Sequence, residues 1–455
     1  MKITNLEVYE LKVPFSIGIK SSSADFLKQD GMDFCVIKIE TDNGITGWGD
    51  AFSFNCRRAV SEVILNMVKP HLIGKNPLDV QNINFELQKK LHLFGRYGIT
   101  MFAISGVDIA LWDIVAKNSN LPLCNVLGSA GVKKIPAYAS LWRYENKEAV
   151  KDRCLSAKNL GYNYIKLHEV FTSEVKAARE SVGEDIPIMV DTNCPWTKDQ
   201  ARQMLNSREE FNLYWVEEPI NPPEDFESLS NIRSESLIPL AAGENACTSF
   251  EFKKMFEAEA VDYAQPSVTK VGGITEFNKV VSISQSYGVQ VMPHSPYFGP
   301  GFLATMHLAQ SMPNPGLLER FFIDLEAYLY PEDILTPKDG FFKINGGILG
   351  SVIKKVISSI FSFLKPIAKP LYDIIMAIVS IILLLVEVVT MIPKMVEAAI
   401  NIFNPTKLID DILYGSAAGI NKVMGAFIDS MDFDSANPRE SPGDGPFGTI
   451  EKGKP

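Results

Sequence analysis

Between Ile135 and Glu319 one pattern recurs along the chain. A short apolar run rich in β-branched and aromatic residues precedes a longer stretch with apolar positions three and four apart. The runs are Ile135–Ala139, Tyr164–His168, Ile188–Asp191, Tyr214–Glu218, Leu240–Glu244, Val261–Gln265, Val289–Pro293 and Gly316–Glu319. Runs of this length read as strands, and the amphipathic stretches between them as helices. Eight such units, each roughly 25 residues long, predict an α/β fold: a parallel sheet closed as a (β/α) TIM-type barrel. An open doubly wound sheet usually brings a glycine-rich phosphate loop, and Gly272-Gly273 alone is too weak a signal for one.

The preceding segment follows a different pattern. Ile3–Val13, Asp33–Glu40 and Ile45–Asp50 read as strands, the last two joined at Asp42-Asn43-Gly44, a strong hairpin signal. Helical stretches follow at 58–72, 77–90 and 96–118. The last carries Ala103, Val107, Ala110 and Ile114 at helical spacing, with Ile109 and Trp112 beside them, as a buried helix does. The chain therefore divides into an α+β segment at 1–125 and the barrel at 126–350. An apolar helical tail over 351–431 and a disordered end over 432–455, rich in Pro, Gly, Asp and Ser, complete it.

With 455 residues and 46% hydrophobic content the chain can bury a large core. Its net charge of −10 excludes a nucleic-acid partner, since no basic excess exists to neutralise phosphates. Six scattered cysteines without a CxxC pair indicate neither a zinc site nor a disulfide framework. The first residues show no apolar signal region, which points to a cytoplasmic location for the catalytic part.

Chemistry in such barrels sits at the C-terminal strand ends. There the sequence places Lys166 and His168 on the second strand, Asp191 and Asn193 on the third, and Glu217 on the fourth. Glu244 ends the fifth, His294 the seventh and Glu319 the eighth. Asp191, Glu217 and Glu244 are spaced 26 and 27 residues apart, one βα unit each, so three carboxylates meet on neighbouring strands. Such anions repel unless a cation holds them, and hard oxygen donors suit magnesium or manganese. Separate salt bridges are the alternative. Lys166 and His168, two apart, share one face. Beside a metal the lysine pKa should fall and the histidine should stay neutral, which suits both to proton transfer. Each also has a plain structural reading, Lys166 as a carboxylate partner and His168 as a core histidine. His294, across the barrel, is either an acid/base group or a loop cap. Glu319 is either a protonated hydrogen-bond donor or a salt-bridge partner.

Val190-Asp191-Thr-Asn193, Trp215-Val-Glu217-Glu218-Pro219, Gly243-Glu244-Asn245, Lys270-Val-Gly-Gly-Ile-Thr-Glu276 and Leu318-Glu319-Arg320 resemble, in order and spacing, the mandelate-racemase subgroup of the enolase superfamily. Ala103–Asp113 resembles the helix that links that family's capping domain to its barrel. The resemblance covers roughly 1–350. It implies that 1–125 is a capping domain and that Asp191, Glu217 and Glu244 bind magnesium. Lys166, His168, His294 and Glu319 would be catalytic, while Asn193, Lys270 and Glu319 would bind a small carboxylate substrate. The activity implied is removal of the proton next to a carboxylate, by a homo-oligomer. One departure stands out: where many members carry an aspartate that orients the seventh-strand histidine, this chain has Ser267. A weaker His294 favours dehydration of a sugar acid over racemisation or epimerisation of a 2-hydroxy acid, which needs two competent bases. A membrane-tethered protein that keeps the metal site but has lost turnover is the third reading. Loops around Ser21–Leu27 and Phe52–Asn55 would select the substrate.

Ile374–Ile392 spans 19 residues with one charge, Glu387, long enough to cross a bilayer. Four lysines precede it (Lys354, Lys355, Lys365, Lys369) and two follow (Lys394, Lys407), an imbalance that places the enzyme on the cytoplasmic side. The region 352–403 thus reads as a membrane contact, with an interfacial or buried helix as alternatives.

Overall fold

A computed structural model describes residues 1–19, 31–129 and 134–343. The tail beyond 343, with its expected membrane contact and disordered end, and the loop at 21–27 lie outside the described residues.

The N-terminal segment forms a three-stranded antiparallel sheet in the order β1 (Ile3–Val13), β3 (Met32–Thr41), β4 (Thr46–Ala51); the short β2 (Phe15–Ser16) lies apart from it. Gly44, at φ +81°, makes the turn between β3 and β4. On this sheet packs the helix Gly98–Asn118, apolar enough and long enough to cross a membrane, yet buried along most of its length. Ala103, Val107, Ile109, Ala110 and Ile114 are all fully buried. The approach is close: a Cβ on Gly49 would lie 2.1 Å from the Gly106 carbonyl oxygen, so glycine is needed there. Asp113 Oδ2 then accepts the Trp48 N–H at 2.8 Å, tying helix to strand without an orphaned amide.

All eight expected barrel strands form. They are β5 (Lys134–Ser140), β6 (Ile165–Leu167), β7 (Ile188–Asp191), β8 (Trp215–Glu217), β9 (Leu240–Ala242), β10 (Tyr263–Ala264), β11 (Gln290–Val291) and β12 (Leu318–Phe321). Each pairs in parallel with its predecessor from β6 to β11, and β12 returns beside β5. The expected closed barrel is corrected at one seam. Among the described residues no ladder joins β11 to β12; the Leu317 N–H instead meets the Met292 sulfur at 3.2 Å. Farther along the chain, β13 (Asp324–Leu325) pairs with β2, and β14 (Phe341–Lys343) runs antiparallel to β5. The strands are only two to seven residues long, so Tyr138, Met189, Trp215, Met292 and Leu317 fill the interior in one compact cluster.

The Gly98–Asn118 helix also locks onto the sheet's outer helices. Asp108, 1% exposed, accepts the Thr275 N–H at 3.0 Å, the Thr275 hydroxyl at 2.6 Å and the Asn84 amide at 2.9 Å. Gly273, at φ +79°, begins the helix Gly273–Ser286 against that carboxylate; a Cβ there would meet Asp108 Oδ1 at 2.3 Å. The Gly272-Gly273 pair is thus a packing device between the two parts of the chain.

Candidate active site

The C-terminal rim of the sheet gathers the residues singled out in the sequence. One ligand oxygen from each of Asp191, Glu217 and Glu244 lies within 4.8 Å of the others. Asp191 and Glu217 are fully buried, and Glu244 is partly exposed. Two of the carboxylates are fixed from behind. Trp215, two residues before Glu217 and on the same face of β8, donates its indole N–H to Glu217 Oε2 at 3.0 Å. Asn193 donates both its backbone N–H and its amide to Asp191 Oδ1 at 2.9 Å. Three hard oxygen donors, held in place and converging, fit a divalent cation of the magnesium type.

Lys166 reaches into the same cluster, 2.9 Å from Glu217 Oε1, 3.0 Å from Glu319 Oε1 and 3.5 Å from Asp191 Oδ2. Burial alone would lower its pKa, but these carboxylates outweigh it and hold the pKa well above the ordinary lysine value. Three anions thus surround the ammonium. Burial pushes the Glu217 carboxyl up to about 7, while Asp191, buried but facing Lys166, is held down at about 2. Glu319 is likewise lowered, because Lys166 outweighs its burial. Its other oxygen accepts the Ser295 N–H at 3.0 Å.

His168 and His294 flank the triad from opposite ends. His168 Nε2 lies 3.2 Å from Asp191 Oδ2, and its Nδ1–H is taken by the Leu141 carbonyl, which fixes the tautomer. Burial opposes its charge, but the bond to Asp191 prevails and raises its pKa above the ordinary histidine value. His294 Nε2 lies 2.8 Å from Glu244 Oε2, while its buried Nδ1 meets no acceptor among the described residues. Ser267 does not supply one. The Tyr297 hydroxyl donates to the His294 carbonyl at 2.6 Å, so the Ser267 hydroxyl, 2.8 Å away, donates to the tyrosine oxygen. Lys270 Nζ sits 3.6 Å from Glu244 Oε1 and 4.8 Å over the Phe52 ring, bringing one of the expected loop segments to the rim. Phe15, Trp142 and Phe321 line up beside His168 as an aromatic wall.

Sequence reasoning missed several contributors. The position of Trp215 on the Glu217 face was readable from the period of two. Glu218, whose two oxygens both accept the Asn245 amide at 3.0 Å, stood in a quoted motif. Arg143, which binds Asn193 and the His168 carbonyl, and Tyr297, which occupies Ser267, gave no sequence signal.

Fold and site together define a class: an α+β cap fused to an eight-stranded parallel α/β sheet, with an acidic triad at the sheet's C-terminal rim able to hold a metal ion. Residues 7–128 match the mandelate racemase / muconate lactonizing enzyme N-terminal domain, and 149–348 match the enolase C-terminal domain-like family. The chain belongs to the enolase superfamily, in its mandelate racemase subgroup. It is 32% identical over 299 residues to the arabinonate dehydratase of Saccharolobus solfataricus, covering 64% of this chain and 79% of that one. It is 30% identical over 311 residues to the 3,6-anhydro-alpha-L-galactonate cycloisomerase of Streptomyces coelicolor, covering 66% and 83%. The crystal structure of L-talarate dehydratase from Polaromonas sp. JS666, complexed with Mg and L-glucarate, is similar with a TM-score of 0.61 and 27% identity. That likeness covers 70% of this chain and 86% of that one.

Proposed function

We propose that this protein is a magnesium-dependent hydro-lyase that dehydrates a sugar acid to a 2-keto-3-deoxy acid. The observation that carries the reading is the acidic triad flanked by two histidines, with an ammonium on its inner side. Asp191, Glu217 and Glu244 would hold the cation, manganese serving in place of magnesium. When bound, it supplies Lewis acidity to the substrate carboxylate. His168 Nε2 removes the α-proton, and the C–H electron pair moves into the bond toward the carboxylate. The negative charge arising there falls against Lys166, which Glu319 and Glu217 keep protonated. Asn193 and Lys270 border the space where the substrate's hydroxyls would lie. His294 then protonates the β-hydroxyl as its C–O bond breaks, releasing water, and the enol tautomerises to the 2-keto acid.

The lone Nδ1 of His294 argues against racemisation or epimerisation, which would need that imidazole as a second full base. Protonating a leaving group is less demanding. A cycloisomerase uses the same first half, the leaving oxygen being part of a ring, so no water is released.

The full-length protein with magnesium should be incubated in heavy water with aldonic and aldaric acids and followed by proton NMR and a 2-keto-acid assay. A 2-keto product supports the reading, and α-deuteration without it replaces the reading with racemisation or epimerisation. Metal binding with neither outcome across the panel overturns the enzymatic reading in favour of a non-catalytic protein.

A further inference from the structure

Arg143 lies in the segment after β5 and braces three strand ends at once. Its Nε donates to the His168 carbonyl at 2.6 Å, beyond β6. Its Nη2 donates to the Thr192 carbonyl at 3.2 Å and to Asn193 Oδ1 at 2.8 Å, both beyond β7. The same segment grips the His168 ring, because the Leu141 carbonyl accepts its Nδ1–H. We propose that Arg143 is a positioning residue that sets the histidine base and the Asp191 carboxylate in register with each other. This rests on the reading of His168 as the base given above.

Two features of the geometry carry the inference. First, His168 is held at two points, ring and backbone, by residues two apart in one loop. Its Nε2 keeps a bare lone pair only while Nδ1 stays on Leu141, and that requires the His168 peptide to stay where Arg143 holds it. Second, an asparagine amide has a donor end and an acceptor end. By donating to Asn193 Oδ1, Arg143 makes the orientation with Nδ2 toward Asp191 the favoured one. Asp191 Oδ1 is then occupied at 2.9 Å, and Oδ2 is left to face His168 and the triad. A guanidinium serves both tasks because its donors form a planar fork; a lysine ammonium at that position can serve only one. Arg143 is largely buried, at 8% exposed.

The test uses full-length Arg143→Lys and Arg143→Gln, with folding checked by thermal melts. Histidine labelled with 15N, in the presence of magnesium and above the histidine titration range, reports the His168 tautomer; a His168→Gln sample assigns the signal. The native protein should show a single Nδ1–H form, and Arg143→Gln a mixture of both. Magnesium affinity should fall about tenfold, as when other outer partners of metal ligands are removed. On an acid that the native enzyme turns over, kcat should fall on the order of 100-fold with KM changed by less than about threefold. Arg143→Lys should recover part of that loss. A pure Nδ1–H tautomer with unchanged kcat in Arg143→Gln would overturn the proposal. So would a raised KM with kcat kept, which would make Arg143 a substrate ligand. If the native enzyme turns over no acid, the proposed function fails, yet the tautomer and metal readouts still decide this inference. If Arg143→Gln does not fold, the same readouts in Arg143→Lys decide it.

Discussion

Lys166 Nζ stands 3.0 Å from Glu319 Oε1, joining the second strand of the sheet to the eighth across β5. The same ammonium neutralises Glu217 and Asp191. Lys166→Met should therefore leave buried carboxylates uncompensated and lower the metal-free stability by about 3–5 kcal/mol. A divalent cation would then replace the lost charge. Magnesium should raise the melting temperature of Lys166→Met more than that of the native protein. Equal increments in calorimetry would show that lysine and metal act independently.

The two histidines should separate cleanly by variant. His168→Gln removes the group placed to take the α-proton, and deuterium exchange at Cα should fall by roughly 10²–10⁴-fold. His294→Gln removes the leaving-group acid only. Exchange should persist in it while 2-keto-acid formation falls by a comparable factor. Loss of exchange in both variants would contradict the division of labour.

Much of this was readable from spacing. The βα rhythm of 26 and 27 residues put Asp191, Glu217 and Glu244 on adjacent strand ends, and they lie together. What spacing does not reveal is which atom satisfies which. Lys166 and Glu319 meet because β12 returns beside β5, as a closed barrel requires, but the count of repeats does not say which side chains touch across that return. Tyr297 claims Ser267 through a loop whose path depends on tertiary packing. Arg143 sits in an irregular segment with no period to read, so its brace emerges only from coordinates.

Away from the site, His307 is buried in the helix Pro300–Ser311, its Nδ1 accepting the Cys124 N–H at 3.3 Å. Burial lowers its pKa to about 4. An unfolded histidine titrates near 6.5, so between those values the unfolded chain binds the extra proton. Stability from this group is present above pH 6.5 and is lost as pH falls toward 4, up to about 3 kcal/mol. Chemical denaturation of His307→Gln across that range should show a flatter pH dependence than the native protein.

Gly273→Ala should test the joint at Asp108. Its positive φ and the 2.3 Å approach to the carboxylate act in the same direction. A loss of about 2–4 kcal/mol is expected from strain and overpacking together. Urea unfolding should remain a single transition if sheet and cap unfold together through this contact. A variant as stable as the native protein would mean that the joint yields at no cost.

The helix Gly98–Asn118 carries a consequence for the newborn chain. Its Asp108 waits for Thr275, 167 residues further along, before that carboxylate and the apolar face around it are covered. At a synthesis rate of about 5–20 residues per second, that interval is roughly ten to thirty seconds. During it, the face that the helix Gly273–Ser286 will cover stands open beside the ribosome, on a segment as oily as a membrane span. Production of this protein should thus depend on what shields that segment in transit, whether a holding chaperone or its own β-sheet, as much as on the stability of the finished fold.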